Sequence, residues 1–251
     1  MFRKIALMGT MISASAAGIA FVVARTRLHR WGVDPIEATQ LLPGDELVTE
    51  PTTVDTRGID IAAPPEQVWP WLVQMGYKRA GWYSYDAIDM NQGSSREIVP
   101  EYQSIEVGQV LPTHAGGGFV VKLAETSKAL VLYLDSTIAR DQAVVADETA
   151  PVDRKANIQA TGKFLNTAFP GRFAASWAFV LEPTASGGTR LIERFRVAME
   201  ASSSVPASVL GPVLGFGVFA MTRRQMLGIR DRASAAFAAS SVPLHLEPAA
   251  A

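Results

Sequence analysis

An acidic residue inside an alternating, otherwise apolar segment is the best candidate for acid–base chemistry in this sequence. In TRLIERFRVAME (189–200), one face of the predicted strand carries Leu191, Glu193 and Phe195. If that face is buried, loss of hydration raises the pKa of the Glu193 carboxyl, which is how folds prepare a general acid or base. The alternative is structural, with Glu193 near the open end of the sheet and paired with an arginine.

Two other titratable residues are candidates for proton transfer. His114 precedes a glycine-rich turn, AGGG (115–118), where a histidine titrates near neutral pH but usually faces solvent. Asp86 follows several aromatic residues. Ser84 lacks the G-x-S-x-G elbow of hydrolases, no two histidines have a metal-ligand spacing, and there is no cysteine. The sequence therefore predicts neither a metal site nor a cofactor.

The segment GWYSYD (81–86) concentrates aromatic rings, a hydroxyl and a carboxylate. One interpretation is a pocket mouth at which Trp82, Tyr83, Tyr85 and Asp86 orient a ligand, since Trp and Tyr rings suit a boundary between apolar and wet surroundings. The other is a packed aromatic corner in which Asp86 caps a short helix or accepts a tyrosine hydroxyl.

The elements that position these residues follow from periodicity. A strand is predicted over Val54–Ala62, and helical spacing of apolar residues predicts a helix in APPEQVWPWLVQMG (63–76). A second short helix is expected to start at Ser84. The other predicted strands are VGQVLPTH (107–114), GFVVKLAE (118–125), ALVLYLD (129–135), ASWAFVLEP (175–183) and TRLIERFRVAME (189–200).

The strands are interrupted by one long polar excursion and followed by a helix. Residues 136–172 are poorly periodic and are expected to contain a short helix near ATGKFLN (160–166). Val205–Ala239 ends in a long amphipathic helix, MTRRQMLGIRDRASAAFAA. The preceding uncharged run, 204–222, could be a second membrane span, although its glycines and proline favour a bent, packed approach to that helix.

Alternation in the strands predicts which apolar side chains share the inner face of the sheet. The expected sets form either the walls of a pocket or the core: Trp177, Phe179 and Leu181; Leu130, Leu132 and Leu134; and Phe119, Val121 and Leu123. A long helix laid across such a face closes a core and often leaves a cavity. The residues predicted to bind a ligand there are Trp71, Met75, Trp82, Tyr83, Tyr85, Asp86, Phe119, Trp177, Phe179, Glu193, Phe195, Phe216 and Phe219.

The N-terminal segment Ile5–Ala24 carries no charge and, as a helix, is long enough to span the hydrocarbon core of a bilayer. Three interpretations compete: a transmembrane anchor, which basic residues on both sides favour, a cleaved signal peptide and a buried helix. Arg3, Lys4 and the amino terminus precede the span, and Arg25, Arg27 and Arg30 follow it, so the charge bias only slightly favours a cytoplasmic C-terminal domain.

Composition excludes one class of partner. The formal net charge is −1, which gives no basic face for nucleic acid. The expected organisation is an anchor with a basic flank (1–30), an irregular connector (31–53), one folded domain (54–240) and a disordered tail (241–251).

The segments APPEQVWPWLVQMG (63–76) and GWYSYD (81–86) resemble the SRPBCC superfamily, which includes START lipid-transfer domains and polyketide cyclase/dehydrase proteins. Further segments extend the likeness over about residues 31–229: WGVDPIEA (31–38), LPGDELV (42–48), SWAFVLEP (176–183) and MTRRQMLGI (221–229). The resemblance is to a bacterial branch that often has an N-terminal membrane segment. It implies an α+β helix-grip fold, a curved antiparallel sheet wrapped around a long C-terminal helix with an interior ligand pocket, but no particular reaction.

Three functions remain open at this stage. The leading hypothesis is a membrane-tethered domain that binds or carries a small hydrophobic molecule or lipid. One alternative is a cyclase- or dehydratase-like enzyme in which Glu193, Asp86 or His114 moves protons. The other is a protein-interaction module with a filled interior and an exposed apolar patch.

Overall fold

The computed structural model describes residues 28–87, 93–149, 171–200 and 207–241. They form an α+β fold with a six-stranded antiparallel sheet in the order β1-β6-β5-β4-β3-β2. The strands are β1 (Thr53–Ile61), β2 (Val110–His114), β3 (Gly117–Glu125), β4 (Ala129–Asp135), β5 (Phe173–Pro183) and β6 (Thr189–Met199). The helices are α1 (Pro65–Val73), α2 (Ser136–Thr149) and α3 (Ala207–Ser240). The expected α+β class, antiparallel sheet and C-terminal helix are confirmed.

The inner face of the sheet holds the main hydrophobic core. Phe179, Leu191 and Ile61 are almost completely buried there, together with Met226 and Ile229 of α3. Helix α1 closes the same core, since Trp71 and Leu72 of its apolar face are buried. Its first residue is Pro65, whose fixed φ suits a helix start and whose missing N–H leaves no donor unsatisfied.

One predicted face assignment on β3 is wrong. Val121 lies opposite Leu132, but Leu123 lies opposite Val131, so the strand carries an extra residue at Lys122. This β-bulge reverses the alternation beyond it. Ala124, rather than Leu123, therefore packs against the inner core. Phe119 and Val121 share the inner face as predicted.

The connector is irregular, as expected, and packs against the outer face of the sheet. Arg194 of β6 is 3% exposed and donates to the backbone oxygens of Glu37, Ala38 and Gln40. Arg196 donates to the carbonyl of Val48. The arginines on this side of β6 therefore satisfy carbonyls of a segment with little regular structure of its own, its one helical turn being Asp45–Leu47.

Two local predictions are corrected and others fall outside the described residues. Residues 84–87 form no helix, because the Ser84 hydroxyl donates to the carbonyl of Met221 in α3 instead of capping a helix. A helix does start at Ser136, where Asp135 accepts from the backbone N–H groups of Thr137 and Ile138. The predicted anchor, the helix at 160–166 and all but the first residue of the tail lie outside the described ranges.

The uncharged run before the amphipathic helix is helical from Ala207 onward, as part of α3. Within the described ranges, no helix is both long and apolar enough to cross a bilayer.

Helix α3 approaches the GWYSYD segment too closely for any side chain at Gly228. A Cβ atom at this position would overlap the carbonyl oxygen of Tyr83 and lie 2.8 Å from its Cβ. Gly217, in contrast, is exposed, and nothing lies within 4 Å of the place where a Cβ would be. Replacement by alanine is therefore expected to have opposite effects on stability at the two glycines.

We predict that Gly228→Ala destabilises the protein by about 1–3 kcal/mol, because the helix must move away from Tyr83. Gly217→Ala is the matched control and should stabilise it by roughly 0.5–1 kcal/mol through helix propensity. Urea unfolding followed by tryptophan fluorescence measures both. Equal effects of the two substitutions would contradict the close packing of α3 on Tyr83.

Candidate functional site

A buried ion pair joins the two strands at one edge of the sheet. Arg57 of β1 lies directly opposite Glu193 of β6 in the strand register. The two side chains are 1% and 0% exposed, and Arg57 Nη1 donates to Glu193 Oε2 at 3.3 Å. Glu193 Oε1 accepts from Trp177 Nε1 at 2.7 Å. The expected inward orientation of Glu193 is confirmed, and so is its pairing with an arginine, which occurs inside the core.

The ion pair belongs to a longer chain of alternating charge. Arg57 Nη2 donates to Asp55 Oδ2 at 2.7 Å, and the other oxygen of Asp55 contacts Nδ1 of His29. Asp55 and Arg57 share the inner face with Glu193, because each is two residues from the next along β1 and the register aligns them with β6. The contacts therefore run in series from His29 through Asp55 and Arg57 to Glu193, and we call this series the charged chain.

The charges of this chain are unequally compensated, since two carboxylates share one guanidinium. Burial raises the pKa of Glu193, and the attraction of Arg57 and the Trp177 hydrogen bond offset only part of that effect. Burial alone would lower the pKa of Arg57, but Glu193 and Asp55 together raise it, so Arg57 stays charged. Glu193 is thus the group of the pair that can take up a proton.

One donor of Arg57 is not used within the described part of the chain. Its Nε is buried and has no hydrogen-bond partner there. The ring of Phe219, on α3, lies over the guanidinium with its centroid 5.7 Å from Cζ. A buried N–H without an acceptor is costly, so a bound acceptor at this position would be favoured.

Aromatic rings surround Trp177, the residue that donates to Glu193. Trp82 stacks on it at 5.4 Å with the planes 16° apart, and Phe195 approaches its face edge-on at 5.8 Å. Phe119 and Phe179 complete the cluster at 5.6 and 5.0 Å. Trp177 and Phe195 remain partly exposed although they lie on the inner face. The inner face therefore presents an apolar wall with a buried acid behind it.

The GWYSYD segment is mainly a packed corner. Gly81 has φ +86°, and its backbone pairs with Gly76 in both directions. Tyr83 is 1% exposed, accepts from Gln74 Nε2 at 2.8 Å and has the Arg232 guanidinium 4.6 Å from its ring centre. Burial raises the pKa of the Tyr83 hydroxyl strongly. Of this segment, Trp82 is the residue that reaches the aromatic cluster.

The polar ends of the segment lie further out. Asp86 is exposed and accepts from the Ser94 hydroxyl at 2.6 Å, and among the described residues it accepts from no tyrosine and no helix end. Tyr85 is 45% exposed. The proposed pocket mouth of four residues is therefore divided between buried and exposed positions.

The remaining predicted residues divide between the core and the surface. Trp71 and Met75 are buried in the core, and the Met75 sulfur accepts from Gln225 Nε2 at 3.4 Å. Phe216 is 59% exposed on α3. His114 accepts the Gly116 N–H at Nδ1, and partial burial lowers its pKa. Neither His114 nor Asp86 belongs to the charged chain around Glu193.

Sequence reasoning missed three members of this chain. His29, Asp55 and Arg57 were not among the predicted residues, although a signal was present on β1. Asp55 and Arg57 alternate in phase with Ile59 and Ile61, two buried apolar residues of β1. Two opposite charges in phase with a buried apolar pair indicate an internal ion pair.

Comparisons with known proteins give a structural neighbour and no named relative. No family model matches the chain, and no curated protein does. Among solved structures, protein MLL2253 from Mesorhizobium loti aligns with 72% of this chain and 96% of its own, at 16% identity and a TM-score of 0.36. An identity and a TM-score this low do not indicate a function.

The raised pKa of Glu193 predicts a specific dependence of stability on pH. Above 4.5, the usual pKa of the group, the unfolded chain loses the Glu193 proton while the folded protein retains it. Stability relative to Glu193→Gln should therefore fall as pH rises from 4.5 towards the folded pKa, then level off.

The measurement is urea unfolding of the wild type and Glu193→Gln at a series of pH values. Titration of groups that do not interact with Glu193 is common to both proteins and cancels in the difference. A difference that increases with pH over this range would mean that the folded protein favours the charged carboxylate.

Proposed function

We propose that this protein is a membrane-tethered domain that binds a small hydrophobic molecule or lipid between the inner face of the sheet and α3. The proposal rests on the surroundings of Trp177, where an apolar wall meets a buried acid. This partly exposed ring is surrounded by other aromatic side chains, and its indole N–H binds a fully buried carboxylate. Sites for small apolar ligands combine such walls with a few convergent polar groups.

The apolar wall would supply most of the binding free energy. Trp177 and Phe195 still expose part of their surface, and Phe119 contacts both rings. Covering this surface with a ligand contributes about 25 cal/mol per Å² of apolar area removed from water. Because apolar burial has little directionality, the wall would select for size and hydrophobicity rather than for one structure.

The charged chain would fix the orientation of the ligand. The unused Arg57 Nε–H is a donor, and Glu193 is an acceptor that burial also biases towards its protonated, donating form. A ligand with a carbonyl or hydroxyl oxygen at one end would find a partner here. A ligand with an ammonium group would compete with Arg57 for the carboxylates.

The fold supports the same proposal through the likeness seen in the sequence. A six-stranded antiparallel sheet with a long C-terminal helix is the arrangement that an SRPBCC-type, START-like helix-grip domain requires. On that assignment the ligand would lie between sheet and helix. The uncharged segment Ile5–Ala24 would tether the domain to a membrane, with a slight preference for the cytoplasmic side.

A second candidate, an enzyme of the cyclase or dehydratase kind, is favoured by one observation, the raised pKa of Glu193. Against it, Glu193 already accepts from both Arg57 and Trp177, which holds the carboxyl in place as a structural group. The binding role therefore has more support than the catalytic role. The two roles differ in what Glu193→Gln does to the bound molecule.

We predict that the full chain, purified from membranes in detergent, carries a stoichiometric hydrophobic molecule, because an exposed aromatic wall favours apolar ligands. Native mass spectrometry followed by solvent extraction measures it. Phe195→Ala should lower the occupied fraction, whereas Leu41→Ala, at a residue that is 91% exposed, should not.

Glu193→Gln separates binding from catalysis in the same experiment. A binding protein keeps the same molecule, whereas an enzyme of the dehydratase kind would hold product in the wild type and its hydrated precursor in the variant. A full chain with no added mass, even after exposure to a broad panel of lipids, would contradict the proposed function.

A further inference from the structure

An exposed patch on α3 combines an aromatic ring with unpaired positive charge. Phe216 is 59% exposed, and Arg223 and Arg224 are exposed two turns further along the helix. Residues seven and eight positions apart lie on the same side of a helix, about 10–12 Å apart along its axis. We define the basic-aromatic patch as Phe216, Arg223 and Arg224 together with Arg30 and Trp31.

The beginning of the described chain lies against this patch. The guanidinium of Arg223 lies over the Trp31 ring, 5.0 Å from its centre, and the Trp31 carbonyl accepts the Gly58 N–H at 3.0 Å. Trp31 is therefore fixed to both the helix and the sheet. It follows the uncharged segment Ile5–Ala24 by so few residues that the end of that segment is within about 25 Å of it.

The charges of the patch are not neutralised locally. Between described residues, no ion pair involves Arg30, Arg223 or Arg224. Further along α3, burial lowers the pKa of Arg232, and the positive charges of Arg224 and Arg96 lower it further. The negative charge of Asp86 has the opposite effect. Asp231 is bound to Arg230.

We propose that the basic-aromatic patch lies on the surface of a bilayer containing anionic phospholipid, with its arginines at the level of the phosphates and Phe216 among the headgroups. Arginines beside a membrane segment attract anionic lipid, and an exposed aromatic ring on a helix suits the interface. The inference rests on the membrane tether of the proposed function and names the surface that the tether brings to the membrane.

The orientation has a consequence for the ligand. Phe219, three residues after Phe216, lies over Arg57 of the charged chain. A domain resting on this patch therefore holds the helix that covers its polar centre next to the lipid surface. The proposed site would then exchange ligand directly with the bilayer.

The absence of cysteine from the chain allows a clean test with single labels. Gly217→Cys places a spin label next to Phe216 and two turns before Arg224 on the same side of the helix. The position has open space around it. Ala185→Cys, exposed in the β5–β6 turn, is the matched control. Each full-length variant is reconstituted into vesicles of phosphatidylcholine alone or mixed with phosphatidylglycerol.

The measurement is the accessibility of each label to oxygen, which partitions into lipid, relative to a water-soluble nickel complex. We expect this ratio to be several-fold higher at Gly217→Cys than at Ala185→Cys in the mixed vesicles. The added substitutions Arg223→Glu and Arg224→Glu should remove most of that difference. Equal ratios at the two labelled positions in the mixed vesicles would overturn the proposal.

Other outcomes are equally decisive. Spin–spin broadening at Gly217→Cys with low access to both reagents would show that a second copy of the chain covers the patch, which would also overturn the proposal. Extraction of the vesicles with alkaline carbonate afterwards tests the tether separately, since release of the protein would contradict the anchor. A purified full chain with no added mass would instead contradict the ligand-binding function and leave this test of orientation unaffected.

Discussion

The ion pair between Arg57 and Glu193 is the interaction on which the inner face of this sheet depends. Two carboxylates, Asp55 and Glu193, lie with one guanidinium among aromatic and aliphatic side chains. An unpaired charge in such surroundings is far more costly than a paired one, so removing any one partner leaves a penalty on the others. The pairing also requires β1 and β6 to keep their register, because a shift by one residue would place Arg57 on the outer face.

The two faces of β6 use arginine and glutamate in different ways. On the outer face, Arg194 and Arg196 bind backbone oxygens of the connector and the carboxylate of Asp45, which attaches an irregular segment to the sheet. On the inner face, the polar groups bind one another, and within the described part of the chain Arg57 Nε has no acceptor. Arg194 and Arg196 thus use all three of their guanidinium nitrogens, whereas Arg57 uses two with described partners.

Much of the fold follows from the sequence because its strands alternate clearly. The alternation of TRLIERFRVAME predicts that Glu193 faces inward, and the structure confirms it. The partner of Glu193 was not predictable in the same way, since Arg57 lies 136 residues away and only the fold brings them together. The bulge at Lys122 could not be predicted from the sequence either, because no local residue marks the extra position that turns Leu123 outward. In contrast, the start of α2 had a local signal, Asp135, in the form of an N-cap residue.

The GWYSYD segment shows why residue type alone does not predict which side chain reaches the aromatic cluster. Tyr83 and Trp82 are neighbours with similar burial, yet Tyr83 faces Gln74 and α3 whereas Trp82 stacks on Trp177. Tyr83 has a φ of +58°, in the left-handed region that residues other than glycine seldom adopt. Backbone geometry of this kind is set by tertiary contacts, among them the close approach of Gly228.

The most direct test of the role of the ion pair is a double-mutant cycle of Arg57→Met and Glu193→Gln, measured by urea unfolding near neutral pH. Arg57→Met alone should cost about 3–5 kcal/mol, since it leaves buried carboxylates without their cation. In the Glu193→Gln background the same substitution should cost at least about 1 kcal/mol less, because one of the carboxylates is already neutral. Equal costs in the two backgrounds would show that Arg57 and Glu193 are not coupled and would contradict this account.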